Sequence, residues 1–116
     1  MTLHDQQAHF SQMFAQLVLH AFASGYEAVI NEVARTPEQQ QLYVQQGKSK
    51  TLKSLHLQRL AGDLLLFKDG TYLTRKDDYA ALGAYWKQLD PEHNGWGGDW
   101  GWDANHFECR RTETPV

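Results

Sequence analysis

The 116-residue chain has few of the features that mark disulfide-bonded, membrane-spanning or nucleic-acid-binding proteins. Its single cysteine excludes an intramolecular disulfide and the cysteine-rich zinc knuckles and ribbons, which need several thiolates. The longest apolar stretch, residues 14–23, contains Gln16 and His20 and falls well short of the roughly 20 residues that a membrane-spanning helix needs. With 11 basic and 14 acidic residues, the net charge of −3 argues against general nucleic-acid binding.

Secretory features are also missing at the N-terminus, which has neither a basic segment nor a small-residue cleavage site after an apolar stretch. We therefore expect synthesis in the cytoplasm and, if the protein acts outside, export by another route. The composition, 41% hydrophobic and 22% charged, is typical of a folded protein. The length predicts one domain over residues 1–116, with residues 110–116 as a loose tail. We expect a monomer without a nucleic-acid partner and without stable membrane insertion.

Three segments are predicted to be helices. Apolar residues spaced three and four apart predict helices over residues 4–23 and through residues 79–89, and Thr2-x-x-Asp5 predicts a capping box at the start of the first. Thr36-Pro37 predicts the start of another helix, which should end at Gly47, because threonine caps helices and proline suits their first position.

Four segments are predicted to be strands, at residues 26–34, 60–67, 71–74 and 106–108. Asp69-Gly70 lies between two of them and has the residues that a tight hairpin turn requires. Residues 48–53 and 94–105 are predicted to be loops. The resulting fold class is α+β, with about three helices on a small antiparallel sheet.

Three short motifs could carry chemistry: Ser54-x-His56 followed by Asp63, Asp103-x-x-His106, and Arg35 just before a helix cap. Imidazole nitrogen and carboxylate oxygen bind zinc well, and catalytic zinc sites combine three protein ligands with an open position for water. His56, Asp63 and His106 would form such a set, although any one histidine alone is more often a surface or core residue.

The spacing of His56 and Asp63 imposes a structural condition. A separation of seven residues would put the two side chains on opposite faces of one flat strand. They can converge only if the chain turns or bulges between Leu57 and Leu60.

These motifs resemble the zinc peptidases of peptidoglycan that include the VanX and VanY enzymes and the phage L-alanyl-D-glutamate endolysins. The family pattern is Ser-x-His, three residues to a glycine, then Ala-x-Asp, and much later an acidic residue, two residues and a histidine. The chain has SLHLQRLAGD at 54–63 and DANHFE at 103–108. The segment RTPEQQQLYVQQGKSK at 35–50 resembles the family's Arg-Thr-x-x-x-Gln segment and Gly-Lys-Ser loop, and WGGDW at 96–100 resembles the stretch before the catalytic loop. The resemblance covers roughly residues 29–108.

The resemblance implies a role for each matched residue. His56, Asp63 and His106 would bind one zinc ion per chain, and Asp103 would be the general base. It further implies that Arg35 polarises the scissile carbonyl and stabilises its oxyanion. Ser54 would orient the segment that carries the first ligand.

Two positions depart from the family pattern. Arg59 stands where the family usually has glycine, so the turn between the first two ligands must form without glycine's conformational freedom. The implied base is an aspartate, whereas VanX-type members have glutamate, which places the chain nearer the endolysin branch. Glu108, two residues after His106 and on the same predicted strand face, is the alternative base.

Other residues have both a functional and a structural interpretation. Trp96, Trp100 and Trp102 either line a substrate groove or pack the loop, and Trp96 and Trp100, which flank Gly-Gly-Asp, are the better candidates for shaping the cleft. Lys48 and Lys50 either meet an anionic glycan or belong to a solvated loop. Cys109 is predicted to be a buried small hydrophobe.

The resemblance implies a zinc peptidase that cuts the peptide stem of peptidoglycan, with the L-Ala–D-Glu bond as the first choice. A phage or prophage endolysin released through a holin-type pore is the expected setting. A D-Ala-D-Ala carboxypeptidase or dipeptidase is the alternative within the same enzyme class. A non-catalytic wall-binding or phage structural domain is the alternative from another class, and the complete set of candidate residues argues against it.

Overall fold

The fold is described from a computed structural model over residues 2–49 and 54–111. Within these residues the secondary structure comprises three α-helices, five strands and two short 3-10 turns. In chain order they are α1 (Leu3–Ala23), β1 (Glu27–Ile30), α2 (Pro37–Gln45), a 3-10 turn (Leu55–Gln58), β2 (Ala61–Lys68), β3 (Thr71–Leu73), α3 (Lys76–Leu89), β4 (Asn94–Trp96), a second 3-10 turn (Gly97–Trp100) and β5 (His106–Cys109). The predicted α+β class is confirmed.

Helix α1 begins where its sequence signals place it. Thr2 accepts a hydrogen bond from the Asp5 backbone amide, and the Asp5 carboxylate accepts one from the Thr2 amide, which satisfies two otherwise unpaired donors. The helix ends before Gly25, whose φ of +92° suits glycine. Its predicted apolar face is buried as expected, and it consists of Phe10, Met13, Phe14, Leu17 and Ala21.

The long strand β2 organises the sheet. All observed pairings are antiparallel, and the strand order is β1-β2-β5-β4, with β3 also paired to β2. The first half of β2 pairs with β5, and the second half pairs with β1 and β3. Asp69 and Gly70 join β2 to β3 with φ angles of +51° and +77°, which confirms the predicted tight turn with two positive φ angles.

The two faces of this sheet have different partners. Leu64 and Leu66 of β2 and Phe107 of β5 belong to the same buried cluster as the apolar faces of α1 and α3. Because side chains alternate along a strand, Asp63 lies on the opposite face, as do the even-numbered residues His106 and Glu108 of β5. One face of the sheet therefore builds the core, and the other carries the polar residues.

Two predictions about the strands need correction. The strand predicted at residues 26–34 is regular only over Glu27–Ile30, although Asn31 and Glu32 still exchange backbone hydrogen bonds with Asp63. The predicted loop 94–105 contains β4 and a 3-10 turn. Asparagine and glycine are poor strand formers, and β4 exists because its backbone pairs with β5.

Some predictions fall partly outside the described residues. The basic loop at 48–53 is described only at Lys48 and Ser49, and of the tail at 110–116 only Arg110 and Arg111 are described. Lys50 lies outside the described residues. A search of the described helices finds none with the length and hydropathy to cross a membrane.

Asp90, at the end of α3, joins two histidines and supports a prediction about pH. Its carboxylate bonds to His9 Nε2 at 3.1 Å and to His93 Nδ1 at 3.0 Å. Burial alone would raise the pKa of Asp90, but these hydrogen bonds outweigh it and hold the pKa below its usual value of 3.8. A lowered pKa contributes stability that is present above pH about 4 and is lost as the pH falls further.

We therefore expect Asp90→Asn to lower the free energy of unfolding at pH 7 by about 0.5–1 kcal/mol, because the cluster is partly exposed. The difference from the wild type should shrink at pH 3. Urea denaturation at both pH values measures it, and Asp99→Asn, which removes an exposed pair with Lys87, is the matched control. An equal loss at pH 7 and pH 3 would contradict the linkage.

Candidate active site

The register of β2 and β5 brings together two of the predicted ligands. Asp63 is paired directly opposite His106, so their side chains leave the same face of the sheet. The Asp63 Oδ1 atom lies 3.3 Å from His106 Nδ1. These residues are 43 positions apart in sequence, and strand pairing makes them neighbours.

The third candidate ligand, His56, comes from the 3-10 turn before β2. Ser54 caps this turn by accepting a hydrogen bond from the His56 backbone amide. Arg59 ends the turn in the left-handed conformation, with φ +57° and ψ +39°, and redirects the chain into β2. This is the reversal that the spacing requires, and an arginine makes it where the family usually has glycine. It brings His56 Nε2 to 3.3 Å from the same Asp63 Oδ1 atom.

Hydrogen bonds on the far side of each imidazole fix its orientation. His56 Nδ1 lies 3.1 Å from the Val33 carbonyl oxygen, and His106 Nε2 lies 2.8 Å from the Glu108 carboxylate. Because these oxygens accept, the two nitrogens must donate. In the neutral rings, the nitrogens that face Asp63 then carry lone pairs, the arrangement seen when metal-ligating histidines are oriented by hydrogen bonds.

This donor set fits a divalent metal ion. Three ligand atoms, one from each of His56, Asp63 and His106, lie within 4.8 Å of one another, and no other such group occurs among the described residues. Two lone pairs aimed at a carboxylate oxygen repel it unless a cation or a proton lies between them. Two imidazole nitrogens and one carboxylate oxygen suit zinc, with a fourth position left for water.

The side-chain charges at the site interact strongly. Burial alone would raise the pKa of Asp63, but hydrogen bonds from His106 and His56 outweigh it and lower the pKa to about 2. Burial alone would lower the pKa of His106, but Asp63 and Glu108 outweigh it and raise the pKa to about 9. Carboxylates on both sides of the His106 ring thus favour a positive charge at this position.

The predicted base, Asp103, lies at the edge of this group. Its Oδ2 atom is 3.9 Å from His106 Nδ1, and burial raises the pKa of its carboxyl group above the usual value. Its backbone passes very close to Gly97. A Cβ atom on Gly97 would lie 2.0 Å from the Asp103 carbonyl oxygen, so only glycine fits there.

Glu108, the alternative base, lies on the same strand face as His106, as predicted. Its carboxylate bonds to His106 Nε2, on the side of the ring away from Asp63. This geometry favours a role in orienting His106 over one in accepting a proton from water.

Arg35 is held by a network of polar side chains. Its Nε atom donates to Glu32, and its Nη1 atom donates to Gln40 at 2.5 Å and to Ser54 at 3.3 Å. Tyr43 stacks against its guanidinium at 4.8 Å and donates a hydrogen bond to Glu32. Ser54 therefore contacts both Arg35 and the backbone of the first ligand.

A cavity of about 580 Å³ lies among these groups. Its lining includes the three candidate ligands and the predicted residues Asp103, Arg35, Ser54, Lys48 and Trp100. The sequence did not single out Glu32 or Tyr43, and no motif spacing marks them, whereas Ser49 belongs to the Gly-Lys-Ser loop of the resemblance but was given no role. Their proximity depends on how the segment after β1 and helix α2 fold against the site.

The prediction for Trp96 needs correction, because this residue does not line the cavity. Its side chain is only 4% exposed, and its ring lies over Gly83 and Gly98. Its indole N–H donates to the Ala104 carbonyl oxygen at 2.6 Å. Trp102 lines the cavity beside Trp100 in its place.

The remaining histidines described and the cysteine lie outside the cavity lining. His9 and His93 bond to Asp90, and the ring of His20 stacks on Tyr85 at 3.8 Å. Cys109 is buried in the core, as predicted.

Comparisons with known proteins agree with the motifs. The L-alanyl-D-glutamate peptidase of Listeria phage A118 is 38% identical over 81 residues, which cover 67% of this chain and 28% of the phage protein. The chain thus spans little more than a quarter of that relative. No family model matches the chain.

A solved structure has the same fold. The crystal structure of the Serratia marcescens L-Ala D-Glu endopeptidase matches with a TM-score of 0.73 and 23% sequence identity, covering 88% of this chain and 78% of the other. Because the two sequences are only 23% identical, this match establishes the fold alone. Taken with the similarity to the phage protein, it fits the peptidoglycan peptidase family that the motifs indicate.

Proposed function

We propose that the chain is a zinc-dependent peptidase that hydrolyses the L-Ala–D-Glu bond of the peptidoglycan stem, as the catalytic domain of a phage or prophage lytic enzyme. The observation that carries the proposal is the convergence of His56 and His106 on one oxygen of Asp63, with Asp103 beside them. The names of the phage relative and the structural neighbour support the choice of bond.

In this proposal His56 Nε2, Asp63 and His106 Nδ1 hold the zinc ion. When bound, zinc supplies Lewis-acid activation of water and of the substrate carbonyl. Val33 and Glu108 hold the two imidazoles so that their lone pairs face the ion.

Asp103 moves the proton. It accepts a proton from the attacking water as the peptide carbonyl is attacked and later gives it to the leaving amine. Its partial burial raises its pKa, which strengthens it as a base.

Arg35 stabilises charge in this proposal. Its guanidinium lines the cavity and would donate hydrogen bonds to the carbonyl oxygen as negative charge develops there. Glu32, Gln40 and Ser54 fix it in place, so little reorganisation is needed during the reaction.

Product analysis on purified peptidoglycan tests the proposed bond. After digestion, mass spectrometry should detect released peptides that begin with D-Glu and glycan strands that retain only L-Ala. Release of free D-Ala would overturn the assignment and support the D-Ala-D-Ala carboxypeptidase or dipeptidase alternative.

A zinc assay tests the proposal against a non-catalytic domain. Purification with supplementary zinc should give about one zinc per chain, as three ligands and an open position imply. Little bound zinc together with no lysis of permeabilised cells would favour a structural or wall-binding role.

Gly97 provides a test of how Asp103 is positioned. We expect Gly97→Ala to lower kcat about 100-fold, because its Cβ would displace the Asp103 backbone and misplace the base. Zinc content should stay near one per chain. Gly95→Ala is the matched control, since its Cβ would meet Glu108 at an ordinary 3.5 Å. Normal activity in Gly97→Ala would contradict the positioning argument.

A further inference from the structure

Contacts order the residues that line the cavity: Trp100 lies beside His106, the His106 ring is 5.0 Å from the His56 ring, and Ser54 joins the His56 backbone to Arg35. The cavity therefore has two chemically different ends, with the candidate ligands between them. At one end lie Trp100 and Trp102, whose ring centroids are 6.0 Å apart, and Trp100 is 5.2 Å from the His106 ring. These indoles are 45% and 54% exposed, although large aromatic side chains are usually buried when packing alone decides. They form an aromatic shelf, the surface of Trp100 and Trp102, next to the proposed reaction centre.

The other end is polar and carries positive charge. Arg35, Lys48 and Ser49 line it, together with Tyr43. Arg35 forms an ion pair with Glu32, which offsets part of its positive charge. Lys48 adds a second cation to the cavity wall. This end is suited to a carboxylate.

The proposed substrate has the same asymmetry about its scissile bond. On the amino side, L-Ala is acylated by the uncharged lactyl group of a muramic acid sugar. On the carboxyl side, D-Glu continues the stem through its γ-carboxyl group and keeps a free α-carboxylate. Only one direction of binding places the carboxylate at the cationic end and the sugar at the aromatic end.

We propose that the Trp100–Trp102 shelf is a subsite for the glycan, holding the muramic acid ring on the amino side of the cleaved bond, while Lys48 meets the D-Glu α-carboxylate. This inference rests on the proposed function. The apolar C–H face of a pyranose ring is removed from water when it stacks on an indole face. The enzyme then prefers stems still attached to glycan over free peptides.

Two substrates that differ only in the sugar test the proposal. One is a disaccharide-linked tripeptide, and the other is the same tripeptide with an N-lactyl group and no sugar. The wild type should show a higher kcat/KM for the first. In Trp102→Ala this preference should fall about tenfold, as expected for losing the burial of one sugar face, while Trp102→Phe should retain part of it.

Two further variants make the result specific. Tyr72→Ala removes an aromatic side chain of similar exposure on β3, outside the cavity lining, and should keep the wild-type preference. Lys48→Ala should raise KM for both substrates by the same factor, because both contain the carboxylate.

Each outcome has a distinct meaning. If Trp102→Ala keeps the wild-type preference, or if the wild type has none, the glycan subsite is wrong while the peptidase activity stands. If Lys48→Ala changes the preference itself, the direction of binding is wrong. If the wild type cleaves neither substrate, the proposed function fails, and the subsite fails with it.

Discussion

Replacing Asp103 with alanine is expected to lower kcat by a factor of about 10³, within the usual range for a positioned general base, while zinc stays bound. The structure explains why kcat should fall while zinc binding is retained. Asp103 Oδ2 lies 3.9 Å from His106 Nδ1, whereas Asp63 is the carboxylate that both imidazoles share. Removing Asp103 therefore leaves the proposed ligand set complete. Steady-state kinetics measure kcat, and metal analysis of the same preparation measures the zinc content.

Glu108 provides the matched comparison for this variant. Glu108→Gln should lower the affinity for zinc about 10- to 100-fold, because its carboxylate orients His106. With saturating zinc, most of its activity should return, whereas Asp103→Ala should stay inactive. If the two variants behave in the opposite way, Glu108 is the base and Asp103 is not.

Replacing Asp63 with alanine is expected to remove both zinc and activity. Its Oδ1 atom is the point at which His56 and His106 converge, so its loss leaves two neutral donors where the proposal needs three ligands. We expect less than about 0.1 zinc per chain and a fall in kcat/KM of at least about 10³, because the residual rate then depends on the remaining donors alone.

Controls distinguish lost ligation from lost folding. Asp63→Asn keeps the shape of the side chain and should also lose zinc, since a neutral amide replaces the carboxylate. Asp99→Ala removes an exposed aspartate that pairs with Lys87 and should retain zinc and activity. Full zinc content in a folded Asp63→Ala protein would show that zinc binds elsewhere and would contradict the proposed ligand set.

Much of the fold was predictable because its signals are local. The Thr2 and Thr36 caps and the Asp69-Gly70 turn act over three or four residues, and each occurs where the sequence places it. The odd spacing of His56 and Asp63 also required a turn, and Arg59 makes it.

The parts that were missed depend on contacts between distant segments. Trp96 is buried because Gly83, on α3, leaves room for its ring, and no local pattern near Trp96 reports that space. The ion pair of Glu32 with Arg35 likewise forms where the chain leaves β1, and no local motif marks Glu32. Tertiary packing decided these positions.

With a single cysteine, the chain has no intramolecular disulfide to stabilise its fold. The pairing of Asp63 with His106 would allow a different kind of cross-link. An ion held by both residues would be a cross-link between positions 43 residues apart, and His56 would fasten it to a third segment. Because an unfolded chain does not hold the three ligands together, binding free energy becomes folding free energy, as with a disulfide that closes a long loop. Metal binding at the proposed reaction centre would then also stabilise the pairing of β2 with β5.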